Sequence, residues 1–216
     1  LTADGSSIEA EQALPGSTVV LAFESRFSDV PASHWAYRTV HEMAARQVLR
    51  GVSTSSFAPE QPITRGQLAA ILTRALGLGE DDRFARIYYD VSPYDALAGE
   101  IGGAIRAGVM SGYPDGTFRP DVPVTRQELA VVLSRMADIL NLSGSLNREA
   151  MERLAMMADW GDVATWAQDG VRFAVSEGLM QGRSATAFSP LGQTTRAEAA
   201  TVIKRLLDKV APGEWR

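Results

Sequence analysis

The sequence predicts a mainly α-helical protein of three tandem helix–loop–helix repeats. Three observations predict it. A Thr-Arg-x-Gln/Glu stretch occurs three times, at Thr64, Thr125 and Thr195, each time ahead of an apolar run with helical period. A loop of constant length precedes it in all three copies. Ahead of each loop lies a second helical pattern, introduced by an aromatic-x-Asp-Val stretch. Thr125 stands 61 positions after Thr64, and Thr195 stands 70 after Thr125, so the period is that of a repeat architecture.

The first helix of each repeat follows "FSDV", "YYDV" or "WGDV", which contain Asp29, Asp90 and Asp162. Trp35, Val40, Met43, Ala44 and Val48 fall on one face. Leu97, Ile101, Ile105 and Val109 do the same, as do Trp166, Val171, Ala174, Val175 and Leu179. The loop then runs from Gly51, Gly112 or Gly182 to the phenylalanine six residues on and the proline two later. These glycines serve either a positive φ or the close approach of a ligand to the backbone. In the second helix the apolar positions are Leu68, Ile71, Leu72 and Ala75, then Leu129, Val132, Leu133 and Met136, then Ala199, Val202, Ile203 and Leu206. One helix pair cannot bury such faces alone, so the three repeats are expected to pack together and to lose stability if one is deleted.

The expected boundaries are 26–79, 80–140 and 141–210. The extra length of the third repeat lies in Asn141–Asp159, with a helical pattern after Ser145. Residues 1–25 read as the tail of an upstream β-rich module or linker, with a strand over Ser17–Phe23, and 211–216 as a C-terminal tail. The chain opens on Leu1 rather than Met and is expected to be part of a longer protein.

Composition narrows the function. A net charge of −5 argues against a nucleic-acid partner. No apolar run reaches the length of a membrane span. With no cysteine, and only His34 and His41 as histidines, a thiolate metal site, a metal cluster or a histidine-based triad has little to draw on. Catalysis is not expected. A helical scaffold that binds another protein is the alternative to a ligand-binding module.

Thr64, Thr125 and Thr195 read as N-caps. Gln67, Glu128 and Glu198, three residues on, complete capping boxes. Arg65, Arg126 and Arg196 then stand at N1, where the helix dipole disfavours a cation. At one site a solvent-facing N1 side chain explains this. Three occurrences favour an anion site, made by the arginine fork beside free backbone N–H groups. On that expectation, Arg126→Ala would leave stability unchanged or slightly higher. The repeated Asp serves either as a structural bond to the loop or as an acceptor for a ligand. Trp35 and Trp166 are core residues or sugar platforms.

Aromatic-x-Asp-Val, "HWA", "SGYPDGTFRPDVPVTRQE" and "TTRAE" together resemble the S-layer homology motif, over about Phe27 to Asp208. The resemblance implies a monomeric, three-lobed pseudo-trimer around a central three-helix bundle, with grooves between the lobes. It implies an extracellular module that anchors a surface protein non-covalently to the bacterial cell wall. The implied ligand is a secondary cell-wall polysaccharide carrying pyruvate ketals on N-acetylmannosamine, with no cofactor, metal or membrane insertion. The three N1 arginines would bind the ketal carboxylate. Asp29, Asp90, Asp162, Trp35, Trp166, Gly51, Gly112 and Gly182 would help line the grooves. The sequence departs from the pattern at Gly66, in the first loop, which lacks the Asp-Gly turn, and in the second repeat, which lacks the tryptophan.

Overall fold

The computed structural model describes residues 27–142, 144 and 147–211. Among these residues there are eight α-helices and no extended strand. The strand expected over Ser17–Phe23 and the tail at 1–25 lie outside the described residues. The long helices α2 (Arg65–Ala75), α5 (Arg126–Ile139) and α8 (Arg196–Val210) each start at the expected threonine with a complete capping box. Their apolar faces are buried throughout; Leu68, Leu133 and Ile203 are fully inaccessible.

The first helices are α1 (Tyr37–Ala45), α4 (Ala98–Arg106) and α7 (Gln168–Ser176). Val40, Ile101 and Val171 anchor them in the same core. Trp35 and Trp166 do not join it. Both stand just before their helices and are 60% exposed. Two linker helices complete the order. α3 (Asp82–Ala85) packs on α4, and α6 (Arg148–Ala155), the helix expected after Ser145, packs on α7.

Each long helix packs against the first helix of the following repeat: α2 on α4, α5 on α7 and α8 on α1. The last pairing returns the chain to its beginning, so the contacts close into a ring. Three backbone bonds of 2.9 Å mark the closure: Ile63 N–H donates to the Thr194 carbonyl, Thr194 N–H to Val124, and Val124 N–H to Ile63.

The loop glycines have a packing role. None of Gly51, Gly112 and Gly182 has a positive φ. A Cβ on Gly112 would sit 2.1 Å from the Tyr88 ring and 2.5 Å from the Thr117 carbonyl oxygen. On Gly51 it would meet Phe27 at 2.6 Å, and on Gly182 it would meet Met157 at 2.9 Å. The space that a side chain would need is filled by Phe27, Tyr88 or Met157 and by the loop's own carbonyl oxygens. Gly112→Ala is therefore expected to destabilise the protein by roughly 1–3 kcal/mol through overpacking. Urea unfolding measures this, and wild-type stability would mean that the Tyr88 ring moves aside freely.

Candidate functional site

The helix starts differ from the expectation of open anion sites. The N1 N–H of α2 donates to the Val122 carbonyl at 3.0 Å and its N2 N–H to Pro120 at 2.8 Å. In α5 the acceptors are Gly192 and Pro190; in α8 they are Gln61 and Pro59. The threonine caps take the N3 N–H groups. Carbonyls of the next repeat's loop thus occupy the donors that a ligand anion would have used.

The N1 arginines point the same way. Arg65 Nε donates to the Phe118 carbonyl at 2.8 Å and Nη2 to Ser111 at 2.7 Å. Arg126 reaches Phe188 at 2.9 Å and Gln181 at 2.5 Å. Arg196 reaches Phe57 and Arg50, both at 2.8 Å, and its Nη1 donates to Gln67. Each guanidinium lies over the phenylalanine ring of the loop that it grips, at 4.6–4.9 Å. All three residues are buried. Burial lowers the pKa of Arg126, with nearby Arg183 adding to the effect, and burial likewise lowers that of Arg196. These arginines tie repeat 1 to 2, 2 to 3 and 3 to 1.

The repeated aspartate holds the loop from its other side. Asp29 accepts the N–H groups of Phe57 and Ala58 and the Ser56 hydroxyl. Burial opposes its ionisation, but these donors outweigh burial and keep its pKa below the ordinary 3.8. Asp90 accepts the N–H groups of Phe118 and Arg119. The residue after the phenylalanine has φ near +60° in every repeat: Ala58, Arg119 and Ser189. A side-chain-bearing residue resists that conformation, and the carboxylate fastened to two successive N–H groups holds it there. In the third repeat Asp159 does this work, accepting from Phe188 and Ser189 at 2.9 and 2.6 Å. Asp162, the residue expected from "WGDV", is exposed in a 3₁₀ turn. The Val of the motif keeps its place, since Val30, Val91 and Val163 are all buried. Three extra residues, Trp160, Gly161 and Asp162, separate Asp159 from its valine.

Among the described residues, two open grooves at repeat boundaries contain a tryptophan. One, of about 390 Å³, lies between α5 and the start of α7; Arg65, Gly112, Tyr113, Glu128, Arg135 and Trp166 line it. The Tyr113 ring is held between Arg65 at 4.6 Å and Arg119 at 4.1 Å, and its hydroxyl donates to Glu128 at 2.7 Å. Burial, followed by the bond to Glu128, raises the Tyr113 pKa and keeps it a neutral donor. The other groove, of about 760 Å³, lies between α8 and the start of α1 and includes Trp35, Thr39, Lys204 and Arg205. Asp208 at 2.8 Å and Glu42 at 3.3 Å neutralise Lys204.

Arg135 and Arg205 were not singled out from the sequence. Each stands nine residues after an N1 arginine, and that recurrence was the available signal. Arg135 donates to the Ser111 hydroxyl and Arg205 to the Leu179 carbonyl. Among the described residues, no carboxylate lies within ion-pair distance of either. An exposed indole with an unneutralised guanidinium in one groove can stack a sugar ring and hold an anionic substituent. Among the described residues, no group of three His, Cys, Asp or Glu side chains could hold a metal, and no helix is long and apolar enough to cross a membrane.

The S-layer homology domain model matches residues 26–69, 87–130 and 157–200. The chain therefore belongs to the S-layer homology family. It is 32% identical over 189 residues to an endoglucanase of Bacillus sp. (strain KSM-635), covering 88% of this chain and 19% of that protein. It is 29% identical to the Surface-layer 125 kDa protein of Lysinibacillus sphaericus, with 93% and 17% covered. It is 28% identical to a Cellulosome-anchoring protein of Acetivibrio thermocellus, with 74% and 35% covered. The chain thus spans about a sixth to a third of the length of these relatives.

The two aspartates of the third repeat make a direct comparison. Asp159→Ala is expected to cost about 1–3 kcal/mol, because it leaves two loop N–H groups without their acceptor. Asp162→Ala should stay within about 0.5 kcal/mol of wild type. Chemical denaturation of the two variants checks the assignment, and the reverse order would restore the expected register.

Proposed function

We propose that this chain is a wall-anchoring module. It holds a longer extracellular polypeptide on the bacterial cell surface by binding an anionic secondary cell-wall polysaccharide in the grooves between repeats. The observation that carries the reading is the pairing of an exposed tryptophan with an unneutralised arginine in each open groove: Trp166 with Arg135, and Trp35 with Arg205. Family membership supports the anchoring role, as do relatives named as surface-layer and cellulosome-anchoring proteins. The endoglucanase match covers only 19% of that protein, so it assigns no hydrolytic activity to this chain.

The ligand class follows from the side chains. The indole face stacks on the less polar face of a pyranose ring. The guanidinium selects a carboxylate, which a pyruvate ketal on N-acetylmannosamine provides. Gly112 and Arg65 complete the wall of the groove between repeats 2 and 3. Arg126, Arg196, Asp29, Asp90, Gly51 and Gly182 serve binding indirectly, by fixing the loops that form the grooves.

Sedimentation with cell-wall sacculi, with and without their attached polysaccharide, separates this reading from a scaffold that binds a wall protein. Binding should vanish with the polysaccharide and survive protease treatment of the sacculi. Arg135→Ala should weaken a monovalent pyruvylated fragment by removing a charge-assisted contact of about 1.5–3 kcal/mol. That corresponds to about 10- to 150-fold in the affected groove. Trp166→Ala should also weaken it. Because both side chains are accessible, stability should hold within about 0.5 kcal/mol. Undiminished binding by both variants, measured by calorimetry, would remove this groove from the account.

A further inference from the structure

The three repeat boundaries are built alike, yet among the described residues only two have, nine residues after the N1 arginine, a cation without a carboxylate partner. The counterpart of Arg135 and Arg205 at the boundary of repeats 1 and 2 is Arg74, nine residues after Arg65. Its Nη2 lies 2.5 Å from Glu100 Oε1. Glu100 is buried, with only 3% of its surface exposed. Its backbone carbonyl accepts the Thr73 hydroxyl at 2.7 Å, which fixes this point of α4 against α2.

We propose that Glu100 is the internal occupant of this boundary, a carboxylate held where the other grooves would hold the ligand's carboxylate. The protein then offers two anionic glycan sites per chain rather than three. This inference rests on the glycan reading above and deepens it.

Comparison by position supports the assignment. Glu100 stands twelve residues before Gly112. The residue twelve before Gly51 is Thr39, which lines an open groove, and the residue twelve before Gly182 is Gly170. Neither can neutralise a cation. Gly170 could not be exchanged for an acid without strain, because a Cβ there would lie 2.8 Å from the Val131 backbone. The aromatic platform is missing as well. Trp35 and Trp166 stand sixteen residues before Gly51 and Gly182, and the matching position in repeat 2 is Ala96. The first boundary therefore lacks both parts of the site: its arginine is engaged and it has no indole. An incoming carboxylate would have to displace a buried partner at 2.5 Å. Breaking such a pair leaves an uncompensated buried charge, which is strongly unfavourable.

The test is a titration of the full chain with methyl N-acetylmannosaminide carrying a pyruvate ketal, read by calorimetry and by ligand-observed NMR. The sugar without the ketal serves as control. Two sites per chain are expected. Trp166→Ala/Arg135→Ala should leave one site, and so should Trp35→Ala/Arg205→Ala. The variant with all four substitutions, its fold verified by circular dichroism, should show none. Three sites in the wild-type chain would overturn the proposal, as would any saturable site in the fourfold variant. A wild-type chain that binds neither sugar would overturn the glycan reading itself, and that outcome differs from both of the others.

Discussion

The fold depends on how three helix starts satisfy their backbone donors. The first N–H groups of α2, α5 and α8 have no partner within their own helices, and a threonine cap serves only one of them. The remaining donors are met by carbonyls of the neighbouring repeat's loop, at Val122 and Pro120, Gly192 and Pro190, and Gln61 and Pro59. An arginine at N1 extends the same grip by two further carbonyls. The positive helix end and the guanidinium both face oxygen atoms of the next repeat, so a cation is tolerated where the dipole alone would disfavour it. No repeat can supply these acceptors to itself. The third repeat must therefore return to the first, and the bonds of Arg196 to Phe57 and Arg50 close the ring.

This division of labour separates scaffold from site. The phenylalanine, the loop glycine, the aspartate on two successive N–H groups and the N1 arginine are the same device in each repeat. The positions that differ lie on the grooves: tryptophan or Ala96 at the helix entrance, and Tyr113 or Arg183 after the loop glycine. Thr39, Glu100 and Gly170 differ in the same way on the first helices. Binding can thus vary from groove to groove while the ring stays constant. The overall charge of −5 does not oppose an anionic ligand, because the unneutralised guanidiniums of Arg135 and Arg205 are local to the grooves.

Much of this was legible in the residues. Capping boxes announce themselves through Thr and Glu or Gln at fixed spacing, and the apolar period of the long helices located their buried faces position by position. The arginines' partners were not legible, because they are backbone carbonyls up to 146 residues away, which leave no side-chain signature. Asp162 fits the aromatic-x-Asp-Val pattern because it adjoins its valine, as Asp29 and Asp90 do. The spacing to the loop phenylalanine, 28, 28 and 29 residues for Asp29, Asp90 and Asp159, would have identified the residue that binds. Helical period placed Trp35 and Trp166 on apolar faces, but Trp35 lies in a turn ahead of α1 and Trp166 in a 3₁₀ turn ahead of α7, and both line grooves. The α-helical period does not govern a residue ahead of the α-helix.

The most direct measurement is the thermal stability of Arg126→Ala beside its affinity for wall glycan. If the arginine ties repeat 2 to repeat 3, its loss removes two charge-assisted bonds and leaves the Phe188 and Gln181 carbonyls without that donor. The expected cost is at least about 2 kcal/mol, or roughly 4 °C or more in Tm for a chain of this size. Arg126→Lys should recover only part of it, because a point charge cannot reproduce the fork. An unchanged Tm combined with lost glycan affinity would contradict the account, and would make Arg126 a ligand residue on an open helix start.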